Sequence, residues 1–294
     1  MGSCPRSSPV PPAPTSAGRG PAVLGAGFER APSEPPAAKV ITVGSAAARW
    51  SELQSGRGIP PEILAAAPRS PWGHDPADFA PPEEPADTPS RAAGLALLGA
   101  SGTVLDVGCG GGDAAFALVG PMVEATGVDA QQDMLDLFES GADVRGVPVR
   151  TVLGRWPEVA EEAGPADVVV CHHVLHNVVD LGPFVAALTA AARRGVVVEM
   201  LAEHPMAWLD PLWERFHDLR RPEPATVEDA VAVLREAGID ADVVRWDRER
   251  RHPHDPAWVT RRLCLPEERE PEVRRAMADI PPRAAGAATL TWRP

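Results

Sequence analysis

The stretch VLDVGCGGGD (Val104–Asp113) joins a short apolar run to the start of a helical pattern. Glycines between a strand and a helix allow a tight turn and let a ligand approach the backbone closely. Such a turn is weak evidence alone, because many loops contain glycines. It predicts a strand, a candidate ligand-binding turn and a helix, in that order.

Two carboxylates near this turn restrict the kinds of ligand that it can bind. Asp106 lies within the apolar run, and the third glycine of a dinucleotide-binding G-x-G-x-x-G pattern would fall at Asp113. A carboxylate beside a pyrophosphate would repel it, so both positions argue against NAD and FAD and favour a cationic ligand. Asp129 ends the next apolar run, 21 residues after Gly108, and a carboxylate at that spacing can hold both hydroxyls of a ribose. No Gly-Lys-Ser/Thr triplet follows, so a P-loop is excluded.

The remaining pattern alternates apolar runs with helical segments. Strands are predicted at 103–107, 124–129, 147–153, 167–171, 195–200, 240–246 and 287–292. Helices are predicted at 113–119, 131–139, 158–163, 181–193, 226–237, 256–264 and 266–279. Nearly continuous Val/Ile/Leu strands between helices indicate an α/β fold whose parallel sheet is covered on both faces.

The residues before this pattern divide into two parts. Residues 1–45 are rich in Pro, Ala and Gly, and such a segment buries too little surface to offset its ordering entropy, so a disordered tail is predicted. Residues 46–98 are predicted to be an N-terminal helical cap with helices at 45–54 and 61–67. Trp50 and Trp72 either anchor this segment to the core or cover a ligand pocket. Residues 99–294 form the main domain.

Composition excludes several classes of partner. The chain of 294 residues has 28 basic and 41 acidic residues, a net charge of −13, which repels phosphate backbones and disfavours nucleic acid. No apolar run approaches the ~20 residues of a membrane helix. The cysteines are far apart and are interpreted as reduced thiols of a cytoplasmic protein. The sequence does not indicate an oligomeric state.

The motifs together resemble those of class I S-adenosylmethionine-dependent methyltransferases, closest to the methyltransferase-domain group of small-molecule enzymes. The similar features are the D-x-G-x-G-x-G spacing of Asp106, Gly108, Gly110 and Gly112, the position of Asp129, and the DVVVCHHVLH stretch (Asp167–His176). The resemblance spans about residues 100–293. It implies a Rossmann-like seven-stranded sheet of order 3-2-1-4-5-7-6, mostly parallel, with strand seven antiparallel. It also implies S-adenosyl-L-methionine as cofactor and a small-molecule acceptor.

The resemblance implies roles for loop residues. Asp106, Gly108 and Gly110 match the loop around the methionine part of the cofactor, and Cys109 within it is either a cofactor neighbour or a small filler. Asp129 matches the ribose ligand. Ala130, the next residue, is expected to lie against the adenine.

The residues after strand three depart from the family pattern, and Cys171 at the end of strand four has two interpretations. The family often has an acidic residue near the adenine amino group after strand three, where this chain has Arg155 and Trp156. The Arg155 backbone and the Trp156 ring are predicted to replace that contact by hydrogen bonding and stacking. Cys171 matches the position where strand four ends beneath the methyl group, or it is a packing residue.

The candidate catalytic residues follow strand four, because ligands lie outside the carboxyl ends of parallel strands. Histidine is the natural base near neutral pH, so His173 and His176 are predicted to be catalytic. Alternation along the strand predicts that at most one of His172 and His173 points inward, and His173 is the favoured one. Alternatively, these residues cap a helix or bind backbone. A metal site is disfavoured because no carboxylate lies at ligand spacing.

A second cluster follows strand five. Its members are Glu199, Glu203, His204, Trp208, Trp213, Phe216 and His217, with Arg220 and Arg221 next to them. The aromatic residues are either core or the lining of an acceptor pocket, and the arginines either meet an acidic acceptor or form a solvated face. The function predicted is methyl transfer to a small molecule. The alternatives are a catalytically silent cofactor-binding sensor and, less favoured, a nicotinamide-dependent oxidoreductase.

Overall fold

A seven-stranded sheet forms the centre of the computed structural model, which describes residues 45–72, 79–248, 255–280 and 286–294. The strand order is β3-β2-β1-β4-β5-β7-β6. The strands are β1 (Gly102–Val107), β2 (Met122–Asp129), β3 (Val149–Leu153), β4 (Ala166–His172), β5 (Ala192–Leu201), β6 (Asp242–Asp247) and β7 (Gly286–Trp292). The first five are parallel, and β7 runs antiparallel to both of its neighbours. The predicted fold class and strand order are confirmed. A disordered tail was predicted at residues 1–45, and residues 1–44 lie outside the described part of the chain.

Eleven α-helices lie in the described ranges. They are α1 (Ser45–Ser55), α2 (Pro61–Ala66), α3 (Pro89–Leu98), α4 (Asp113–Phe116), α5 (Gln132–Arg145), α6 (Ala160–Ala163), α7 (Leu181–Ala191), α8 (Asp210–His217), α9 (Val227–Glu236), α10 (Pro256–Arg262) and α11 (Glu270–Ala278). Helix α3 was not predicted, although the Thr88 side chain caps it by accepting from the Arg91 N–H at 3.1 Å. The helix predicted to reach Arg193 ends at Ala191, because β5 begins directly at Ala192.

Helices cover both faces of the sheet. On the first face, α3, α4 and α5 pack against inward residues such as Val104, Val168 and Val197. On the second face, α7 and α9 pack against the alternate residues, among them Val169 and Val196. Successive strand residues therefore point to opposite buried faces, which explains why the strands are almost entirely apolar.

Three segments of the chain combine in a separate hydrophobic cluster. Residues of α8, α10 and α11 form its buried centre, which includes Leu212, Trp213, Val259, Leu263 and Val273. Part of α2 packs against it. We call this group of four helices the helical lobe. The aromatic residues after β5 thus belong to a core: Trp213 is buried there, and Trp208 and Phe216 pack at its border.

Helix α1 attaches the first part of the segment before the sheet to the second face. Trp50 is fully buried, and its indole N–H donates to the Val178 carbonyl at 2.7 Å. Gln54 donates to the Leu175 carbonyl at 3.1 Å, in the turn that follows β4. Trp72, in contrast, is 52% exposed. The boundaries of the predicted cap and main domain stay a prediction.

Candidate functional site

The glycine turn after β1 has a backbone that only glycine adopts easily. Gly108, Gly110 and Gly112 have φ angles of 72°, 50° and 93°, all left-handed. A side chain on Gly108 would overlap Val174, and one on Gly112 would overlap the Phe116 ring. The turn is fixed because the Gly108 and Cys109 N–H groups donate to the Val128 carbonyl at 2.8 and 3.0 Å. Glycine is therefore required at Gly108 and Gly112 because neighbouring side chains lie against the turn.

Asp129 ends β2 beside this turn. Its carboxylate accepts from the Gly110 N–H at 3.1 Å and from the Gln131 N–H at 3.0 Å. An ionised carboxylate offers about four lone-pair sites, so these two bonds orient the group and leave capacity for two hydroxyls. Ala130 follows it directly. The arrangement fits a ribose.

Asp106 is buried in β1 and accepts from the Ala115 N–H at 3.1 Å. Burial raises the pKa of Asp106 well above its usual range, and the nearby Asp113 and Asp129 add to this, against the lowering effect of the Ala115 hydrogen bond. A cation placed beside the turn would stabilise the ionised form of Asp106. In the structure, the Asp106 carboxyl also holds the turn to α4.

The two cysteines of the predicted cofactor site are buried. Cys109 packs within the first face and Cys171 within the second. Burial raises the pKa of both thiols, with the Asp106 carboxylate adding to the effect, so both remain protonated near neutral pH. Such thiols contribute packing and surface shape, not nucleophilic chemistry.

The residues after β3 are connected to Asp129 through the backbone. The Gly154 N–H donates to the Asp129 carbonyl at 2.9 Å. Arg155 is exposed, and its carbonyl accepts from Val159 at 3.2 Å. The Trp156 indole N–H donates to the Phe184 carbonyl at 3.2 Å, and its ring packs against the second face. The stacking role predicted for Trp156 stays a prediction.

His173 and Glu199 form a close imidazole–carboxylate pair. His173 has φ 61°, a left-handed conformation uncommon outside glycine, and its N–H donates to the Glu199 carbonyl at 2.7 Å. Its Nε2 lies 3.1 Å from Glu199 Oε1. Burial alone would raise the pKa of Glu199, but the His173 hydrogen bond and the positive potential of His172 and His173 lower it to about 2. Glu199 is therefore an ionised carboxylate under ordinary conditions.

The tautomer of His173 follows from this neighbour. Arg248 Nη1 also lies 3.1 Å from His173 Nε2, and one nitrogen cannot donate to Glu199 and accept from Arg248 at once. The buried Glu199 carboxylate determines which ring nitrogen carries the hydrogen, because a lone pair on Nε2 at hydrogen-bond distance from the carboxylate would be repelled. In the neutral imidazole, Nε2 then carries the hydrogen and Nδ1 offers the lone pair. Nδ1 is buried and has no partner in the described part of the chain.

His172 lies next to the His173–Glu199 pair. It pairs with Glu199 across β4 and β5, and burial lowers its pKa to about 4. Alternation predicted that at most one of the two histidines faces the site. Because β4 ends at His172 and His173 is left-handed, both imidazoles lie close to Glu199.

His176 lies deeper, in the turn after β4. It is buried, and its Nε2 is 3.1 Å from the Leu201 carbonyl, so Nε2 carries the hydrogen and Nδ1 has no partner in the described ranges. Its ring meets that of His204 edge to face, with centroids 5.3 Å apart. Burial lowers the pKa of His176 to about 4 and that of His204 to about 3. Both are neutral at pH 7.

Sequence reasoning missed the polar residues that α3 and β7 add. Ser90 lies 2.7 Å from Thr289 between their hydroxyl oxygens, and its hydroxyl also bonds Glu199. The cap residue Thr88 followed by Pro89 was the signal that predicts a helix start there. Nothing local in the sequence indicates Thr289. Among residues 45–72, 79–248, 255–280 and 286–294, no three His, Cys, Asp or Glu side chains group to hold a metal ion.

A family model supports the assignment that the turn and sheet order suggest. Residues 104–195 match the model described as "Methyltransferase domain". Over these residues the chain is similar to methyltransferase domains. No helix among the described residues is long and apolar enough to span a bilayer.

Curated relatives align with part of the chain. The ubiquinone biosynthesis O-methyltransferase of Bordetella parapertussis is 35% identical over 115 residues, which are 36% of this chain and 45% of that protein. The protein with the same name from Caulobacter vibrioides is 26% identical over 141 residues, 41% and 54% of the two chains. The chain thus spans about half the length of the curated relatives it matches. The crystal structure of the YcgJ protein from Bacillus subtilis is 18% identical, covers 69% of this chain and 97% of its own, and has a TM-score of 0.48.

Proposed function

We propose that the protein transfers a methyl group from S-adenosyl-L-methionine to a hydroxyl oxygen of a small-molecule acceptor. The observation that carries this is the position of the His173–Glu199 pair next to the glycine turn. Val174, which follows His173 directly, is the residue that a side chain on Gly108 would strike. A ligand lying on the turn would therefore be close to the base.

The residues around the turn fit the cofactor. Asp129 would bind the ribose hydroxyls, and the glycine-rich turn would let the methionine part approach the backbone. Bound S-adenosylmethionine would supply a methyl group activated by a sulfonium. The acidic neighbourhood of Asp106 favours that positive charge.

His173 is the proposed general base. An acceptor hydroxyl must lose its proton, and the unprotonated Nδ1 of His173 would take it while Glu199 stabilises the resulting imidazolium. Base assistance is needed for an oxygen acceptor, whereas an acceptor without a proton to lose needs only positioning. The curated relatives are named O-methyltransferases, which agrees with a hydroxyl acceptor.

Isothermal titration with S-adenosylmethionine and with its demethylated product tests the cofactor assignment. We expect binding by the wild-type protein, and a loss of at least about tenfold in affinity for Asp129→Ala, since hydrogen bonds to a charged group contribute about 1.5–3 kcal/mol. Asp133→Ala, an exposed carboxylate in the first turn of α5, is the matched control. Absence of binding at about 1 mM would refute the proposal.

The alternative of a silent cofactor-binding sensor makes a different prediction. It requires tight cofactor binding without any methylated product when a panel of phenols and hydroxy acids is incubated with methyl-labelled cofactor. Labelled product from any of them favours the enzyme. A cytoplasmic location remains part of the proposal, and the buried thiols of Cys109, Cys171 and Cys264 fit a reducing compartment.

A further inference from the structure

Two arginines lie together where the end of α1 meets the helical lobe. The Arg57 side chain is 4% exposed. Arg221 follows α8, and its Nη2 donates to the Arg57 carbonyl. The Arg221 guanidinium also lies over the Trp213 ring, 5.1 Å from its centroid. Both charges are thus held away from bulk solvent by contacts from different parts of the chain.

The protein leaves several of their donors without partners. Arg57 Nη2 donates to both oxygens of Asp210, at 2.7 and 3.0 Å, and Nη1 donates to the Pro222 carbonyl. Arg57 Nε and Arg221 Nε and Nη1 are buried and have no hydrogen-bond partner in the part of the chain that the structure describes. Buried donors are nearly always paired in native proteins, so three together call for an additional acceptor.

The local charge has the sign that such an acceptor needs. Asp210 is the carboxylate that bonds Arg57, and its negative charge also raises the pKa of Arg221. Burial first, and then the charges of Arg57 and Arg262, lower the pKa of Arg221. A buried excess of positive charge is costly unless an anion compensates it.

This arginine pair lies close to the turn that follows β4, because Gln54, near the end of α1, donates to the Leu175 carbonyl in that turn at 3.1 Å. His204 feels the charges of both Arg57 and Arg221, which contribute to its low pKa. The His204 ring contacts that of His176, which lies three residues after His173 in the turn that follows β4. The two histidines therefore connect the proposed base to the arginines.

We propose that Arg57 and Arg221 form a binding subsite for an oxyanion of the methyl acceptor, so that the substrate is a small hydroxylated acid. The inference rests on the proposed function and specifies its substrate class. Guanidinium groups match the geometry and charge of carboxylate and phosphate oxygens, and the three free donors face no competing acceptor. The acid group binds between α1 and the lobe, and the hydroxyl lies toward His173.

Anion-dependent thermal stability of the full chain tests the subsite. The probes are benzoate, inorganic phosphate and, as the neutral counterpart, benzamide. We expect benzoate or phosphate to raise the midpoint of unfolding of the wild-type protein, and benzamide to leave it unchanged. The larger of the two anion effects identifies the carboxylate or the phosphate as the preferred group.

Variants of neighbouring arginines locate the effect. In Arg221→Gln the anion affinity should fall by about tenfold or more, because a charge-assisted hydrogen-bonding group is lost. Arg220→Gln is the matched control: its side chain is 84% exposed and pairs with Glu214 at 2.7 Å, and it should keep the wild-type response. Arg221→Lys, which keeps the charge without the planar donors, should be intermediate and covers the case in which the glutamine variant does not fold.

Two results would overturn the inference: no stabilisation of the wild-type protein by either anion, or equal stabilisation of the wild-type and Arg221 variants. S-adenosylmethionine titration of the same samples separates this failure from that of the proposed function. A wild-type protein that binds the cofactor but no anion loses the subsite alone. One that binds anions through Arg221 but no cofactor loses the methyltransferase proposal, and with it the assignment of the anion to an acceptor.

Discussion

The chemistry of single residues centres on Glu199. Ionised well below neutral pH and buried beside two imidazoles, it holds the hydrogen of His173 on Nε2 and leaves Nδ1 to accept a proton. The left-handed backbone of His173 costs conformational free energy, which the Glu199 backbone and side-chain contacts offset. Glu199 is thus a positioning residue for the proposed base.

Glu199→Gln should separate catalysis from cofactor binding. The amide keeps the shape but removes the charge that fixes the tautomer and stabilises the imidazolium, so we expect kcat to fall by about 10²-fold or more. The affinity for S-adenosylmethionine should stay within about twofold, since Glu199 is outside the ribose site. Glu158→Gln, an exposed glutamate, serves as the control. An unchanged kcat for Glu199→Gln would contradict the role of the pair.

The stability of the protein should depend on pH through His176. Its pKa is about 4 in the folded protein, below the ordinary value of 6.5, so the unfolded chain binds more protons between these pH values. Stability is complete above about pH 6.5 and is lost as pH falls toward 4, by up to about 3 kcal/mol for this group. Urea unfolding at about pH 7.5 and about pH 5 measures the loss.

His176→Gln is the informative variant in that measurement, because glutamine keeps a donor for Leu201 but does not titrate. It should be less stable than the wild type at the higher pH and should lose less stability on acidification. Equal losses in the two proteins would show that His176 is not a source of the pH dependence.

Residues close together in sequence were predictable, and pairs joined by the sheet were not. The glycine turn and Asp129 follow from local spacing, because the turn chemistry requires glycine at fixed positions. The pairing of His173 with Glu199 depends on the register between β4 and β5. Ser90 reaches Glu199 only because an unpredicted helix covers that part of the sheet.

At the scale of elements, the glycine turn should be the most sensitive connection. Gly112 has φ 93°, and a methyl group there would overlap the buried Phe116 ring. Gly146, at the end of α5, has φ 64° with open space around it. We expect Gly146→Ala to cost about 1 kcal/mol of unfolding free energy from backbone strain alone. Gly112→Ala should cost at least about 2 kcal/mol, because overpacking adds to the strain.

Denaturant unfolding of the two alanine variants measures this difference. Cofactor titration should further show weaker binding for Gly112→Ala and unchanged binding for Gly146→Ala, since only the first changes the turn. Equal costs for both substitutions would mean that the contact with Phe116 relaxes freely.

The boundary between α7 and β5 shows why element ends were harder to predict than elements. Arg193 and Arg194 favour a helix end by composition, yet both lie in β5. Arg194 is accommodated there because it pairs with Asp167 at 3.3 Å and donates to the Leu98 carbonyl at 2.6 Å. These partners are distant in sequence, so nothing near position 193 indicated that the helix ends there and a strand begins.

At the scale of the whole molecule, the described residues form three hydrophobic clusters, two against the sheet and one in the helical lobe. The negative net charge of the chain did not predict the buried arginine pair, because net charge describes the surface and not a junction between clusters. Helix α1 connects the second face of the sheet to the helical lobe. Trp50 packs into the second face, and Arg57, just after the helix, bonds Asp210 in the lobe.

Removing the Trp50 side chain therefore tests whether α1 is part of the main cooperative unit. Trp50→Ala should lower the unfolding free energy of the whole protein by about 3–5 kcal/mol, because it leaves a large cavity and an unpaired Val178 carbonyl. Trp72→Ala, at an exposed position, should change it by less than about 1 kcal/mol. Thermal unfolding followed by calorimetry and by circular dichroism distinguishes the outcomes. A single transition at lower temperature supports integration of α1 with the sheet, whereas an unchanged main transition with a separate early one would make α1 part of an independent unit.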